Sequence, residues 1–314
     1  MKIAMMGSGG VGGLFGARLA EAGADVHFIA RGKHLAAIKE NGLKIESALK
    51  GDTLIKPAKV TDDPASIGPV DYVLVSVKLW DTEAAAEMIK PLIRSGRTGS
   101  DTAVISLQNG VTRDQIFRQA LGAKHVMGGI SYVGATIKAP GIIEQKGQVQ
   151  KLVFGEYGSA GLTPRVIAFR KMCEAADIEV ETPDDIERAL WEKFVVLVGM
   201  STVLAASRQT IGPTRDCPET KALLGSVMTE VRAVAVKKGI DLAADLVAAK
   251  LSYLDQLAPD VTASMEHDLR NGNRLELPWL AGTVVKMGRE LGVETPVCDV
   301  LSAILTPYVM GASK

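Results

Sequence analysis

Residues 2–23 read KIAMMGSGGVGGLFGARLAEAG and combine a short apolar run, a cluster of glycines and a stretch of helical spacing. The apolar run predicts a strand, and the residues after the glycines predict a helix that follows it directly. Gly7, Gly9 and Gly12 form a G-x-G-x-x-G pattern at this turn, where they would serve a tight turn, a close backbone approach to a pyrophosphate and helix-to-strand packing. The stretch therefore predicts a Rossmann-type domain that binds a dinucleotide, with a purely structural glycine turn as the alternative.

The rest of the first half repeats this alternation of β-rich runs and helical stretches, which is the signature of a parallel sheet. Strands are predicted at 2–7, 25–30, 71–78, 102–108, 125–135, 141–145 and 151–156, and helices at 10–22, 33–41, 81–94 and 112–121. Beyond about residue 160 the pattern becomes helical, with stretches at 162–177, 184–206, 217–239, 241–257 and 278–291. We predict an α/β fold: an N-terminal Rossmann-type doubly wound sheet (1–184) followed by an all-helical domain (185–314).

The composition excludes several classes of protein. Lys plus Arg and Asp plus Glu both number 36, so the formal net charge of zero gives no electrostatic reason to expect a nucleic acid or an anionic membrane as partner. The N-terminus does not predict a secretory signal, and the apolar stretch after Lys193 is expected to be too short to span a bilayer. Three widely spaced cysteines predict buried or free thiols in a reducing compartment, and the four histidines predict no metal site. We expect a cytoplasmic protein.

The residue after the second predicted strand selects the cofactor. An NAD site has Asp or Glu at this point to bond the ribose 2′-hydroxyl, whereas FIARGKH (28–34) has Arg31 there and Lys33 nearby. A guanidinium suits a 2′-phosphate and lacks the acceptor that a bare ribose needs. The sequence therefore favours NADP(H), and a solvated loop arginine is the alternative. The predicted cofactor-binding residues of the turn are Gly7, Ser8, Gly9, Gly10, Val11 and Gly12.

Two further strands end in polar residues, at the edge where a doubly wound sheet binds its ligands. Lys78 ends LVSVK and could meet the cofactor's phosphate or adenosine side, unless it is a lysine that snorkels to solvent. Gln108 and Asn109 end VISLQN, and the amide of Asn109 could orient the nicotinamide or a substrate oxygen. Because Asn-Gly also favours a turn, a structural role for Asn109 and Gly110 is equally compatible with the sequence.

The second half contains an ammonium and a carboxylate in apolar surroundings. Lys193 stands at the start of the apolar run in LWEKFVVLVGMSTVLAAS (190–207), and Glu276 lies in RLELPW (274–279). Acidic residues rarely lie among apolar neighbours without a partner, so a structural salt bridge is the alternative role for Glu276. The alternative for Lys193 is a surface position on an amphipathic helix.

These features together resemble the ketopantoate reductases (2-dehydropantoate 2-reductases). The N-terminal G-x-G-x-x-G, VKLW around Lys78, QNG, WEK at the start of a helix and SMEHDLRNGNRLE (264–276) occur in the order found in that family. The resemblance covers nearly the whole chain. It implies an NADPH-dependent reduction of ketopantoate to pantoate, a step toward pantothenate and coenzyme A.

The resemblance also implies roles for single residues. Lys193 takes the place of the general acid and Glu276 that of its partner, while Ser264 and Asn109 match substrate-binding positions. An ammonium at this point would protonate the alkoxide that forms as hydride reaches the keto carbon. The family's asparagines four and eight residues after the lysine are here Leu197 and Ser201, of which only Ser201 keeps a hydrogen-bonding group for the substrate.

The departure at these two positions leaves three hypotheses open. The first is a ketopantoate reductase, and the second is a reductase of another 2-keto acid on the same scaffold. The third is a non-catalytic NADP-binding regulator, which the presence of both Lys193 and Glu276 disfavours. An exposed helical face in the second domain could pair two copies as a homodimer.

Overall fold

The computed structural model describes residues 1–94, 101–158 and 162–312. Its backbone divides into two compact units, Met1–Ile186 and Glu187–Lys314. The first unit is built on a sheet with helices against it, and the described residues of the second unit contain helices but no strand. The predicted fold class, a Rossmann-type sheet followed by an all-helical region, is confirmed.

The first unit contains one continuous twisted sheet. Its strands are β1 (Lys2–Met6), β2 (Asp25–Ile29), β3 (Leu43–Ser47), β4 (Thr53–Ile55), β5 (Lys59–Thr61), β6 (Tyr72–Val75), β7 (Ala103–Ser106), β8 (Val126–Ala139), β9 (Ile142–Gly155) and β10 (Glu179–Glu181). The order across the sheet is β4-β3-β9-β8-β7-β6-β1-β2-β5, and β10 pairs with β9. The run from β8 to β5 is parallel throughout. Numbered along the chain, these six parallel strands lie in the order 3-2-1-4-5-6, which is the Rossmann arrangement.

Both faces of the central parallel strands β1, β6 and β7 are buried, which explains their nearly continuous apolar sequences. Met5 and Leu74 belong to the apolar cluster on one face, whereas Ala4, Met6 and Val75 belong to the cluster on the other. Alternate residues therefore enter opposite layers, as the period of two in a strand requires. The helices of this unit are α1 (Gly10–Glu21), α2 (Gly32–Asn41), α3 (Thr82–Met88), α4 (Arg113–Leu121) and α5 (Pro164–Ala175).

The second unit is formed by a succession of helices. They are α6 (Ile186–Ser207), which begins at the last residue of the first unit, α7 (Ile211–Asp216), α8 (Pro218–Lys237), α9 (Leu246–Asp255), α10 (Ser264–Arg270), α11 (Ala281–Leu291) and α12 (Pro296–Leu305). Short 3-10 turns also occur in both units, among them Leu79–Asp81 after β6 and Leu277–Trp279 before α11.

Helix α6 extends beyond the apolar stretch recognised in the sequence. With 22 residues the whole helix is long and apolar enough to cross a membrane by length and composition, whereas the prediction concerned only the part of it that follows Lys193. It alone meets this test within the described ranges, and 61% of its most apolar window is buried inside the protein. A core helix passes the same test, and the burial of α6 matches that description.

Other differences from the sequence predictions come from pairings between distant segments. The runs at 141–145 and 151–156 were predicted as separate strands, but they lie in one strand, β9, which pairs antiparallel with β8 through two irregularities. Strands β3, β4, β5 and β10 were missed, as were helices α7, α10 and α12. Helix α12 was missed because its first turn is capped by a residue far away in the sequence. The carboxylate of Glu230 on α8 accepts the backbone N–H groups of Val297 and Cys298, each at 2.8 Å.

Candidate functional site

The glycine turn between β1 and α1 has the geometry that its sequence predicts. Gly7 has a φ of +96°, a conformation that favours glycine. A methyl group at Gly12 would overlap the carbonyl oxygen of Gly7 and the Oγ of Ser76, whereas nothing lies within 4 Å of the place where a methyl group at Gly9 would project. Gly12 is therefore required for packing, and the backbone at Gly9 is open to an approaching group.

Hydrogen bonds from two neighbouring strands hold this turn in place. The backbone N–H and the hydroxyl of Ser8 both donate to the carbonyl oxygen of Ile29 at the end of β2, each at 3.1 Å. The hydroxyl of Ser76, just after β6, donates to the carbonyl oxygen of Gly7 at 2.6 Å. Helix α1 has no acidic residue in its first turn. Its N-terminal N–H groups thus form a fixed, positively polarised end that suits a phosphate.

His34 adds a third connection, which sequence reasoning missed. Its Nδ1 accepts the backbone N–H of Gly141, between β8 and β9, at 3.0 Å, so the ring proton of the neutral imidazole lies on Nε2. That Nε2–H then donates to the carbonyl oxygen of Ser8 at 2.8 Å. His34 lies in the first turn of α2, a position that by itself does not reveal these contacts. Its contacts make it a link between the glycine turn and the β8–β9 connection.

Arg31 lies where the sequence predicts, between the end of β2 and the start of α2. Its side chain is 73% exposed, and its Nη2 donates to Oδ2 of Asp81 at 3.1 Å. Asp81 is the last residue of the 3-10 turn that follows β6. The Arg31–Asp81 ion pair was not anticipated, because the two residues are fifty positions apart in the sequence. Lys78, at the start of the same turn, is exposed, with its Nζ 5.7 Å from the ring centroid of Trp80.

Gln108 and Asn109 follow β7 and differ in their surroundings. The side chain of Gln108 is buried, its Oε1 accepts the hydroxyl of Ser106 at 2.9 Å, and its Nε2 donates to the hydroxyl of Thr82 at 2.9 Å. Gln108 therefore ties the end of β7 to the start of α3. Asn109 is only partly buried, and Gly110 after it has a φ of +82°, so the Asn-Gly pair does form a turn.

Behind this turn lies Arg113, a fully buried arginine that sequence reasoning missed. Its Nε donates to the hydroxyl of Ser106 at 2.9 Å, and its terminal nitrogens donate to the carbonyl oxygens of Gly110 and Gly129. Burial raises the pKa of the neighbouring Asp114 carboxyl, which accepts the hydroxyl of Tyr157. Arg113 anchors the Asn109–Gly110 turn to β8, as a satisfied buried cation that no local pattern indicates.

In the second unit, the predicted residues of α6 share one face. Lys193, Leu197 and Ser201 are spaced by four residues, so they succeed one another along the same side of the helix. Lys193 and Leu197 are partly buried, and Ser201 is completely buried. The hydroxyl of Ser201 has no hydrogen-bond partner among the residues that the structure describes.

The block of residues 264–276 contains one exposed and two buried polar residues of interest. Ser264 is exposed at the start of α10, whereas Glu276, directly before the 3-10 turn Leu277–Trp279, is 7% exposed. Glu266 is also buried, and its carboxylate accepts the hydroxyl of Thr262 at 2.6 Å and Arg270 at 2.6 Å. Sequence reasoning passed over Glu266, and these local bonds assign it a structural role. Across the described residues, no group of three or more His, Cys, Asp or Glu side chains could hold a metal ion.

Comparison with known proteins identifies the family. The sequence model described as Ketopantoate reductase PanE/ApbA matches residues 3–159, and that described as Ketopantoate reductase PanE/ApbA C terminal matches residues 185–309. The chain belongs to the ketopantoate reductase PanE/ApbA family. It is 30% identical to the 2-dehydropantoate 2-reductase of Archaeoglobus fulgidus over 94% of either chain.

Solved structures agree with this assignment. The crystal structure of a PanE/ApbA family ketopantoate reductase from Ralstonia eutropha JMP134 is 31% identical, with a TM-score of 0.87 over 98% of both chains. D-mandelate dehydrogenase, solved with NADH and anilino(oxo)acetate, has the same fold at 22% identity, with a TM-score of 0.86 over 98% of both chains. The resemblance recognised in the sequence is confirmed, and the chain is an oxidoreductase of a family that depends on pyridine nucleotides.

The structure groups the predicted cofactor residues within the first unit. They follow the carboxyl ends of four adjacent parallel strands. Arg31 follows β2, the glycine turn follows β1, Lys78 follows β6, and Gln108 and Asn109 follow β7. Lys193, Ser201, Ser264 and Glu276 belong to the second unit. The roles assigned to all these residues remain predictions.

Proposed function

We propose that this protein reduces a 2-keto acid with NADPH, and that its substrate is ketopantoate, which it converts to pantoate. The observation that carries the proposal is the glycine turn, with an open backbone at Gly9, a packed Gly12 and a basic residue, Arg31, at the end of β2. This arrangement suits a dinucleotide with a 2′-phosphate. The family membership supplies the reaction class.

The residues of this chain offer suitable groups for each part of the cofactor. The N–H groups at the start of α1 would bind the pyrophosphate, while Arg31 and Lys78 would bind the phosphate on the adenosine side. Asn109 would orient the nicotinamide end. When bound, NADPH supplies the hydride for the reduction.

The remaining chemistry falls to the second unit. Lys193 would hold a proton on its Nζ and give it to the carbonyl oxygen as that atom gains negative charge. Glu276 would keep the ammonium protonated before the substrate binds, and Ser264 would hold the substrate's carboxylate or hydroxyl. The partial burial of Lys193 is compatible with this role.

The face of α6 supports a second candidate, the reduction of a different 2-keto acid. Leu197 offers no hydrogen bond to a substrate hydroxyl, and the hydroxyl of Ser201 is completely buried. The fold alone does not select ketopantoate, since D-mandelate dehydrogenase shares it and was solved with anilino(oxo)acetate. An apolar or bulkier side chain on the keto acid is the chemical class that this face favours.

We further propose that the enzyme works in the cytoplasm, in pantothenate and coenzyme A biosynthesis, with neither a nucleic acid nor a membrane as partner. The balanced charge of the chain and the burial of α6 support this placement. A homodimer remains a prediction.

The test is a panel of 2-keto acids, with kcat/KM measured from the oxidation of NADPH and of NADH. The decisive pair is ketopantoate and 3,3-dimethyl-2-oxobutanoate, which lacks only the hydroxyl. A site that bonds the hydroxyl should prefer ketopantoate by about 10⁴-fold, whereas an apolar site should discriminate by no more than about 10²-fold. Preference for a bulkier keto acid would support the second candidate, and tight NADPH binding without turnover of any keto acid would contradict both.

A further inference from the structure

The ion pair between Arg31 and Asp81 crosses the carboxyl end of β1. Arg31 follows β2 and Asp81 follows the segment after β6, and β1 lies between these two strands in the sheet. Their side chains meet at 3.1 Å, so the pair spans the point at which the glycine turn begins at Gly7. This is the crevice in which a Rossmann domain binds the adenosine half of its cofactor.

The pair can exchange its partners at little cost. Arg31 is 73% exposed and Asp81 is 32% exposed, and ion pairs of this kind contribute little to stability because water solvates both groups. Only Nη2 of the guanidinium donates to the carboxylate, so the fork still has donors for a second acceptor. Both groups are therefore available to a ligand at this place.

The two side chains favour different cofactors. A guanidinium binds a 2′-phosphate with charge-assisted hydrogen bonds, whereas a carboxylate accepts a hydrogen bond from a ribose 2′-hydroxyl and repels a phosphate. NAD sites place that carboxylate at the end of the second strand, and here a carboxylate reaches the same neighbourhood from the segment after β6.

We propose that Asp81 is a specificity-determining residue for the cofactor: it weakens the preference for NADPH that Arg31 creates and allows NADH to bind as well. The inference rests on the proposed function, because it concerns the same dinucleotide site. Lys33 lies two residues after Arg31 and Lys78 three residues before Asp81, so we expect their positive charge to keep NADPH the preferred cofactor of the unmodified protein.

The expected size of the effect follows from Coulomb's law. A carboxylate at about 5 Å from a doubly charged phosphate, in water with about 0.15 M salt, should weaken binding roughly fivefold. Replacing the charged acceptor by a neutral amide should weaken the bond to a 2′-hydroxyl about threefold, since charge-assisted hydrogen bonds are about twice as strong. The two changes have opposite signs, so the ratio of the Kd for NADH to the Kd for NADPH responds more strongly than either Kd alone.

The experiment is titration calorimetry of the full chain with NADPH, NADH, 2′,5′-ADP and 5′-ADP. It compares the unmodified protein, Asp81→Asn and a control, Glu83→Gln, which removes an exposed carboxylate two residues further along. We expect Asp81→Asn to tighten NADPH and 2′,5′-ADP about fivefold and to raise the ratio of the Kd for NADH to that for NADPH about fifteenfold. Glu83→Gln should change each Kd less than twofold.

Two results would overturn the inference. A ratio that changes less than threefold in Asp81→Asn would remove Asp81 from cofactor selection, and weaker NADPH binding would show that the carboxylate orients Arg31 instead. If turnover with NADPH persists in either case, the proposed function stands and only this inference fails. An unmodified protein that binds neither dinucleotide would remove the proposed function and the inference together.

Discussion

Two glycines of the same turn should respond in opposite ways to the same substitution. Gly9 and Gly12 lie three residues apart, and alanine adds one methyl group to each. At Gly12 the methyl would overlap the carbonyl oxygen of Gly7 and the hydroxyl of Ser76, whereas at Gly9 it would meet no atom within 4 Å. Gly12→Ala should therefore damage the fold, and Gly9→Ala should damage only the binding of a dinucleotide.

The magnitudes follow from these contacts. Overpacking against backbone costs about 1–3 kcal/mol of folding free energy, so Gly12→Ala should lower the Tm by roughly 2–12 °C in a domain of this size. Gly9 has φ −73° and ψ −160°, which any residue can adopt. An alanine there loses about 0.5 kcal/mol as a helix N-cap and regains a similar amount through its less flexible unfolded state. The Tm of Gly9→Ala should stay within about 2 °C of the unmodified protein.

Gly9→Ala, which should leave the Tm nearly unchanged, should instead weaken the binding of NADPH. A methyl group at Gly9 would hold the pyrophosphate away from the N-terminal N–H groups of α1, and the loss of one charge-assisted hydrogen bond costs about 1.5–3 kcal/mol. The Kd for NADPH should therefore rise roughly 10- to 150-fold. Differential scanning fluorimetry gives the Tm without ligand, and titration calorimetry below both Tm values gives the Kd.

The comparison can fail in two separate ways. If Gly9→Ala binds NADPH within twofold of the unmodified protein, the open backbone at Gly9 does not face the pyrophosphate, and the cofactor assignment loses its main support. If Gly12→Ala keeps the original Tm, the turn adjusts to a side chain at this position, and the packing derived from the structure is wrong.

Two other predictions concern single side chains. Lys193→Ala should lower kcat about a hundredfold or more with little change in the Kd for NADPH. The control Glu192→Gln should keep kcat within about threefold. Near-normal turnover in Lys193→Ala would exclude Lys193 as the general acid. Of the three thiols, Cys217 is the accessible one, while Cys173 and Cys298 are buried and burial raises the pKa of both. Ellman's reagent should therefore titrate one thiol rapidly in the native protein and three in denaturant, and rapid labelling of all three would contradict the burial.

The parts of the fold that sequence predicts correctly are those that depend on neighbours in the chain. The apolar run before Gly7, the helical spacing after it and the basic residue after the second strand can each be recognised within a few positions. Five of the six parallel strands, all except β5, were recognised from the same alternation, and short crossover connections restrict the order in which such strands can pair. These local signals were sufficient for the fold class and for the family.

The contacts that complete the candidate site depend on residues far apart in the sequence. His34 bonds Gly141 across more than a hundred positions, and Asp81 reaches Arg31 across fifty. No periodicity or capping pattern encodes such pairs, because any exposed acid or histidine has the same local sequence signal. Arg113 is a further example: its acceptors include the carbonyl oxygen of Gly129, which comes within reach only when β8 lies beside β7.

In the proposed function, helix α6 has both a structural and a chemical role. Its apolar character is explained by burial, so the hydropathy that resembles a membrane span is a property of the protein core. A lysine in such a helix costs desolvation free energy, which favours a position that is partly exposed, as Lys193 is. Further along the same face, Leu197 adds no polar atom, and the hydroxyl of Ser201 is out of contact with solvent. The polar chemistry of this face is therefore concentrated at Lys193. Under the proposed function, this distribution would suit proton transfer to the keto oxygen better than recognition of the hydroxyl of ketopantoate, which is why the deoxy analogue is the most informative substrate to compare.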